Sequence, residues 1–540
     1  MIVIRASFRT RNAFFSIAAL CAAAPVLSFG EIVQAERVDV AKVWSAHPVD
    51  FDIQTAGNYQ FIAYYDTLRR MTVARRTIGA TQWQYTVLPQ TTGWDSHNYI
   101  AMALDDSGYV HVSGNMHNVA LVYYRSTRPY DMSAYTAPGM VGSNETSVTY
   151  PVFIKGPNRQ FIYQYRDGGS GNGTTIWNGY ALATKRWSRI TSSGLFNGGG
   201  TVNAYHTTPV LGPDGYYHII WMWRETPVAN TNHDISHMKS LDLVNWRTMA
   251  GATVTLPVTQ STAGVVVDPV PSGNGLINMD FWISWDSQNR PVVTYHKYRI
   301  VGTDTTSQIF NTRWESTVWR IYQTSNWTGY KWFLDLQGSL AHEIAATPLE
   351  IDKAGRLLQY YVYRDNIRRQ WVLNEATLSP LSDSVWQPPA AMQAFYQIES
   401  TWSGTPAMQI NQKRQGEYYL RWETLPQNQD LARNPPYPPF SMLRVYRFID
   451  ATAVAPPPKY AAEAMNVRLT DNKLCIRPGV LREGKPWSAQ VYLLNGRVVA
   501  GLRGVTAEQI AWNTAGWARG VYCVRIGLQK KGFTEKIALY

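Results

Sequence analysis

The stretch DSHNYIAMALDDSGYVHVSGNMHN, from Asp95 to Asn118, carries a histidine near each end, His97 and His117, around an apolar, turn-centred run. Imidazoles change charge near neutral pH, and two held close together divide acid and base roles, because one charged ring lowers the pKa of the other. Such a pair suits the removal and return of a proton. Asp106-Ser107-Gly108 reads as a turn tripeptide between two strands. With the turn centred on Ser107, Leu104 faces Val110 and His97 faces His117, and facing partners have Cβ atoms about 4.5–5.5 Å apart. A register shift of one residue would send the rings to opposite faces. The competing reading is a structural pair satisfied by Asn98, Asn115 and nearby aromatics. His111, in mid-strand, reads as packing.

Further polar groups gather downstream. YQYRDGGSGNG (163–173) ends a strand with Tyr165, Arg166 and Asp167 and enters a glycine-rich loop. No helix follows, so it is not a phosphate loop. NAYH offers Tyr205 and His206, WMWRETPVANTNHD offers Arg224, Asn232 and His233, and VTYHKYR offers Tyr295 and His296. Seven of the ten histidines fall between His97 and His237. Arginine is the side chain suited to neutralising a carboxylate.

These groups need a scaffold that brings distant segments together. One phrase recurs seven times: a turn with Gly, Asn or Asp, then a tyrosine-rich strand. Its copies are GNYQFIAYYD (57–66), DSGYVHVSGNMH (106–117), PNRQFIYQYRDG (157–168), PDGYYHIIWMWRE (213–225), SQNRPVVTYHKYR (287–299), KAGRLLQYYVYRD (353–365) and NQKRQGEYYLRWE (411–423). A second phrase ends in an aromatic after a polar turn; its Ser240-Leu-Asp242 and Trp246 are similar to a degenerate Asp-box. Repeated strands without helical periodicity predict an all-β chain, a seven-bladed β-propeller over residues 36–450, with RVDVAKVW (37–44) closing the ring. Strand ends in such a ring converge on its faces and central channel.

The flanks read differently. Residues 1–35 form a signal peptide, with Arg5, Arg9 and Arg11 ahead of an apolar core and a cleavage point after Ala35. Export follows, to the medium or the cell surface. Residues 451–464 are a Pro/Ala linker, and 465–540 a small C-terminal β-sandwich. The net charge of +12 resides largely in the tail, since residues 462–540 carry +7. The basic pI therefore does not mark the large domain as a polyanion or nucleic-acid binder. Cys475 and Cys523 remain after the signal, and in an exported chain they are expected to pair. The sequence calls for no cofactor and leaves open a structural calcium or other ion. The chain is read as a monomer.

The passages GWDSHNYIAMALDDSGYVHVSGNMHN, TYPVF, YRDGGSGNG, NAYH and WMWRETPVANTNHDISHMKSLD, with DPVPSGNGLINMD and RPVVTYHKY, resemble the BNR-4 propeller family. That family includes polysaccharide lyases acting on rhamnose–glucuronate linkages, as in ulvan and gum arabic, and α-L-rhamnosidases. The resemblance implies catalytic roles for His97 and His117, and for Tyr165, Tyr205 and Arg224. Arg166, His206, Asn232, His233, Tyr295 and His296 are then substrate-binding candidates. It also offers His47, in SAHPVDF, as the central residue of a hydrolase on the other face of the ring. The C-terminal segments VYLLNGRVV, GWARGVYCVRI and KIALY resemble type IX secretion sorting domains, which implies secretion machinery as a partner. The leading expectation is a secreted lyase that cleaves an anionic polysaccharide by β-elimination. The alternatives are an α-L-rhamnosidase and a non-catalytic sugar-binding propeller.

Overall fold

A computed structural model describes residues 32–450 other than Asn366 and, beyond them, the strands between 465 and 539 together with Thr514. The expected signal core and the Pro/Ala linker lie outside the described residues. The strand Ile32–Val43 begins ahead of the expected cleavage point.

The chain is all-β, and its described helical residues are confined to short 3-10 turns. Residues Ile32–Ile449 form one compact unit holding seven sheets. The seven recurring phrases fall on the second main strand of these sheets in turn: Tyr59–Tyr65, Val110–Gly114, Phe161–Asp167, Tyr217–Arg224, Pro291–Val301, Leu357–Tyr363 and Tyr418–Thr424. Each is preceded by a turn residue with positive φ, namely Gly57, Gly108, Asn158, Gly215, Asn289, Gly355 and Gly416. That left-handed conformation strains a Cβ-bearing residue, with Asn the best-tolerated substitute for Gly. The recurring Gly or Asn is therefore a backbone requirement of the repeat.

These second strands are buried along most of their length, as in Tyr217–Arg224, where all but the first residue is inaccessible. They lie inside their sheets, and neighbouring sheets cover them. Asp52–Ala56 of the first sheet touches Ile100–Leu104 of the second, which touches Val148–Lys155 of the third. Thr174–Ala181 then meets Asn203–His206, Tyr217–Arg224 meets Trp282–Trp285, and Pro291–Val301 meets Ile344–Ala346. Trp386, after the sixth sheet, packs on Tyr396, and the adjoining Phe395 packs on Tyr446 of the seventh. Gln409–Gln415 of the seventh sheet lies back against Asp52–Ala56 of the first. Ile32–Val43 joins the seventh sheet as its outer strand, beside Ser441–Asp450. Large aromatics fill these interfaces; Phe51 stacks on Trp422 with centroids 4.6 Å apart. Burying such a side chain contributes on the order of 1.5–3 kcal/mol.

The Asp-box-like turn is structural. Ser240 Oγ donates to the Asn245 carbonyl at 2.7 Å, Asp242 Oδ1 accepts from the Asn245 N–H at 2.7 Å, and Trp246 is buried beneath.

After Asp450 the described strands form two further sheets. One joins Met465–Thr470, Lys473–Pro478 and Ile510–Asn513; the other joins Val498–Gly504, Trp487–Leu493, Gly520–Leu528 and Lys531–Leu539. Cys475 and Cys523 fall on strands of different sheets, and their side chains lie outside the described residues.

Candidate functional site

The histidine hairpin has the expected register, with Leu104 opposite Val110 and Ile100 opposite Gly114. The ladder stops there. His97 sits in the 3-10 turn Ser96–Asn98, and His117 opens a short strand paired to Thr149 of the third sheet. The two imidazoles still stack, with centroids 4.0 Å apart at 20°. What holds them is Asp95, missed in the sequence although it stands two residues before His97. Its Oδ1 meets His97 Nδ1 at 2.7 Å and its Oδ2 meets His117 Nδ1 at 2.6 Å. One carboxylate thus aligns both rings and takes up both Nδ1 atoms. A second carboxylate, Asp430, approaches His97 Nδ1 at 3.5 Å. Burial lowers the His97 pKa, but hydrogen bonds to Asp430 and Asp95 outweigh it and raise the value to about 9. Burial likewise opposes ionisation of Asp95, yet His117 and His97 hold it well below the usual carboxylate range.

Beside this clamp stands Tyr150, also missed. It occupies a β-bulge between Thr149 and Val152, with φ +59° and Pro151 after it. Bulges re-aim side chains, and a bulky residue in the left-handed region persists only where its surroundings enforce it. The bulge brings the Tyr150 ring to 5.5 Å from His97 and 6.2 Å from Tyr205, centroid to centroid. Arg166 lies over Tyr150 at 4.9 Å, and Arg224 over Tyr205 at 5.2 Å. Arg166 Nη1 donates to the Tyr205 hydroxyl at 3.4 Å, and Ser170 Oγ lies 2.8 Å from the same oxygen. The loop carrying Ser170 explains its glycines: a Cβ on Gly173 would stand 2.6 Å from the Arg166 side chain. Arg224 is held by the carbonyls of Thr226 and Pro227 and by Asn278 Oδ1 at 3.3 Å.

The two tyrosines are driven apart electrostatically. Burial pushes Tyr150 well above the ordinary phenol value, and the neighbouring Tyr205 adds to the rise. Burial acts upward on Tyr205 too, but Arg224, Arg166 and the Ser170 hydroxyl bring it below the ordinary value.

His97, His117, Tyr150, Arg166, Ser170, Tyr205 and Arg224 line one cavity of about 380 Å³. Tyr150, Arg166 and Tyr205 also line an adjoining space of about 330 Å³, and His97 and Tyr150 border a third of about 650 Å³. His342 lines the first and third; burial lowers its pKa, but its 2.6 Å contact with Asp280 outweighs this and raises it. Asp95, His97 and His117 are the group of metal-ligand type found among the described residues. Because Asp95 already occupies both Nδ1 atoms, the group is a hydrogen-bonded clamp.

Other expected site residues lie outside the first cavity. The Tyr165 side chain points away from Arg166 into the apolar cluster of Tyr163 and Trp187, and Arg189 donates to its hydroxyl at 3.1 Å. Of the two neighbours on the strand Phe161–Asp167, Arg166 lines both the first and the second space, and Tyr165 lines the second alone. Tyr295 is buried, bonded to Asp268 at 2.5 Å and near Thr312. His296 bonds the Gly275 carbonyl at 2.7 Å, and burial brings its pKa down to about 4. His206 borders the second space, but it stacks on Phe196 and bonds the Thr207 carbonyl, and burial lowers it to about 4. His233 pairs with Asp234 at 2.9 Å and lines none of the three spaces. Asn232 is fully buried; it stands opposite Arg224 in the sheet and donates to Asn278 Oδ1 at 3.1 Å, the oxygen that Arg224 also reaches. His47 is not on another face. It is buried, and its Nε2 meets Asp430 Oδ1 at 3.1 Å, one carboxylate from His97.

Residues 59–327 match the family model described as BNR repeat-containing family member. No curated protein matches the chain. Among solved structures, the polysaccharide lyase Uly1 superposes with a TM-score of 0.50 at 13% identity, covering 77% of this chain and 99% of that one. A PL25 ulvan lyase gives 0.49 at 13% identity, with 75% and 95% covered. An α-L-arabinanase of Penicillium chrysogenum complexed with arabinobiose gives 0.36 at 10% identity, with 66% and 93% covered. At these identities the likeness is one of fold. The matched segment contains His97, His117, Tyr150, Arg166, Ser170, Tyr205 and Arg224, but not His342, His47 or Asp430.

Proposed function

We propose that the chain is a seven-bladed propeller, each sheet a blade, and that it acts as a polysaccharide lyase on uronate-containing glycans of the rhamnose–glucuronate type. The observation that carries this reading is the convergence of Arg166 and Arg224 on Tyr205, beside an imidazole pair clamped by Asp95, in one open cavity. The fold shared with Uly1 supports it.

β-Elimination next to a carboxylate needs that carboxylate neutralised, a base for the C5 proton and an acid for the departing O4. Arg166 and Arg224 supply the positive charge. Environments that push titratable groups apart mark acid from base. Tyr205, lowered by its two arginines, accepts the C5 proton as the phenolate. The C5–H electrons form the C4=C5 double bond while C4–O4 breaks. His97, charged at neutral pH, gives O4 a proton from Nε2, since Nδ1 faces Asp95 and Asp430. Tyr150 lies between donor and acceptor and fixes the sugar ring against them. His117, with Nδ1 on Asp95, presents its other nitrogen to the cavity and orients substrate.

Among the described residues no Asp or Glu lines the cavity of about 380 Å³, so the carboxylate pair of a usual glycosidase is lacking there. His47, proposed from the resemblance as the centre of a hydrolase, is buried behind Asp430. Both points favour elimination over hydrolysis. The reading includes export, with the C-terminal sheets as a sorting module for secretion machinery. Incubation of the protein with ulvan, gum arabic and other uronate polymers tests the activity. The expected result is ultraviolet absorbance of an unsaturated uronate, with a matching mass for the products. Free rhamnose without that absorbance would show hydrolysis instead.

A further inference from the structure

Four loops far apart in the sequence meet behind His97. Asp430 comes from the loop between Tyr418–Thr424 and Ser441–Asp450, and Ser339 from the segment ahead of Ile344–Ala346. His47 follows the N-terminal strand, and Ser96 adjoins His97 itself. They converge on the Asp430 carboxylate. Oδ1 accepts from the Ser96 N–H at 3.0 Å and meets His47 Nε2 at 3.1 Å. Oδ2 accepts from Ser339 Oγ at 2.5 Å and lies 3.5 Å from His97 Nδ1. Both Gln429 and Asp430 have left-handed backbone, with φ of 60° and 58°. Two successive non-glycine residues in that region mark a position its surroundings enforce.

We propose that Asp430 is a positioning residue: with Asp95 it traps the Nδ1–H of His97 from two sides, so that Nε2 is the nitrogen offered to substrate, and His47 anchors the far end of the chain. The result is a row running His47, Asp430, His97, Asp95, His117, graded from a buried ring to an accessible one. Side-chain exposure rises along it from 0% at His47 through 18% at His97 to 37% at His117. The row rests on the reading of His97 as the proton donor, and it explains why one buried-side carboxylate would not suffice. Asp95 is shared with His117, so only Asp430 serves His97 alone among the two rings of the stacked pair.

The groups that bear on His97 are the Asp95 and Asp430 carboxylates, the stacked His117, Tyr150 and Tyr205, with His342, Arg166 and Arg224 lining the same cavity. The neighbouring cations and burial disfavour a charged His97, so the two carboxylates must outweigh them. Asp430 itself is held well below the usual carboxylate range against burial, by His47, His97, Ser339 and the Ser96 N–H. Its negative charge is therefore present throughout the working pH range.

The test is Asp430→Asn in the full chain, followed two ways. Histidine nuclear magnetic resonance, with the His97 signal assigned by its loss in His97→Gln, reads the titration of that ring without any substrate. The alkaline limb of kcat against pH on a uronate polymer reads the same group at work. Both are expected to move to lower pH by about 1–3 units, the effect of losing an opposite charge at this range. His47→Gln and Ser339→Ala, each removing one contact to Asp430, are expected to give smaller shifts in the same direction. An unmoved His97 titration in Asp430→Asn overturns the proposal. If that variant does not fold, unmoved titrations in both His47→Gln and Ser339→Ala overturn it equally. A titration that moves while the limb of kcat stays in place upholds the row and instead refutes His97 as the donor.

Discussion

Two histidine pairs in this molecule have almost the same parts and opposite behaviour. In the cleft, His97 and His117 stack at 4.0 Å around Asp95, with Asp430 behind. In the fourth sheet, His218 Nδ1 meets His237 Nε2 at 2.9 Å, and His218 Nε2 meets Asp214 Oδ1 at 2.9 Å. Burial lowers His237 well below its usual value, with His218 and Lys239 adding to it. Burial also lowers His218, and its contact with Asp214 does not restore it. The cleft pair has two carboxylates for two rings and an open side. The inner pair has one carboxylate, shared with Lys239 at 3.2 Å, and no open side. Proximity of imidazoles is therefore not what sets their charge here; the ratio of carboxylates to rings, set against burial, decides it.

The largest expected contrast comes from deleting one ring of each pair. His97→Gln should lower the elimination rate by about 10²–10⁴-fold, the usual worth of a positioned acid or base, with the thermal midpoint nearly unchanged only above about pH 9, where the contribution of its charge to stability is already lost. His237→Gln should do the reverse, leaving the rate within about threefold while costing about 1–3 kcal/mol of stability through a disturbed buried polar group. Steady-state kinetics and thermal unfolding on both variants would break the comparison if the two profiles coincided.

Next in size is the guanidinium clamp. Arg166→Ala should reduce kcat/KM on a uronate polymer by about 10²–10³-fold, the range seen when one charge-stabilising donor is removed. Carboxyl-reduced polymer should be a poor substrate for the parent enzyme and should show little further loss with the variant. Equal loss on both polymers would separate Arg166 from the carboxylate.

A smaller effect lies in stability against pH, and its sign differs between the pairs. The folded His97 titrates near 9, above the unfolded value of about 6.5. Its contribution is complete below about 6.5 and is lost as pH rises through about 9. His218 and His237 are depressed in the folded state. Their contribution is present above about 6.5 and is lost as pH falls below it. Thermal midpoints measured across this range should peak near about pH 6.5 and fall on both sides, and His97→Gln should reduce only the alkaline slope. The smallest effect is expected from Tyr165→Phe, with a rate within about threefold of the parent and a stability loss of about 0.5–1.5 kcal/mol for its bond to Arg189.

Much of this was legible in the chain. The seven turn-and-strand phrases mark real strands because each turn demands a left-handed residue, which leaves Gly or Asn in the sequence. The hairpin register was readable for the same reason, from Asp105 to Gly108. The cleft was legible in part. Tyr205, Arg166, Arg224 and both histidines were visible as types at strand ends, whereas Tyr150 was hidden because nothing local announces a bulge. Tyr165 reaches only the second space, while its neighbour Arg166 lines the first as well. Tyr295 and His296 looked like site residues because strand-end tyrosines and histidines also serve as buried packing.

The sequence alone determined the repeat, its strands and the hairpin register from Ile100 to Gly114, because hydrophobic pattern and turn chemistry act over a few residues. Only the tertiary structure decided which polar groups share a cavity and which imidazole carries a charge. Those properties depend on carboxylates such as Asp430, brought from hundreds of residues away, and on how much water the surrounding sheets exclude.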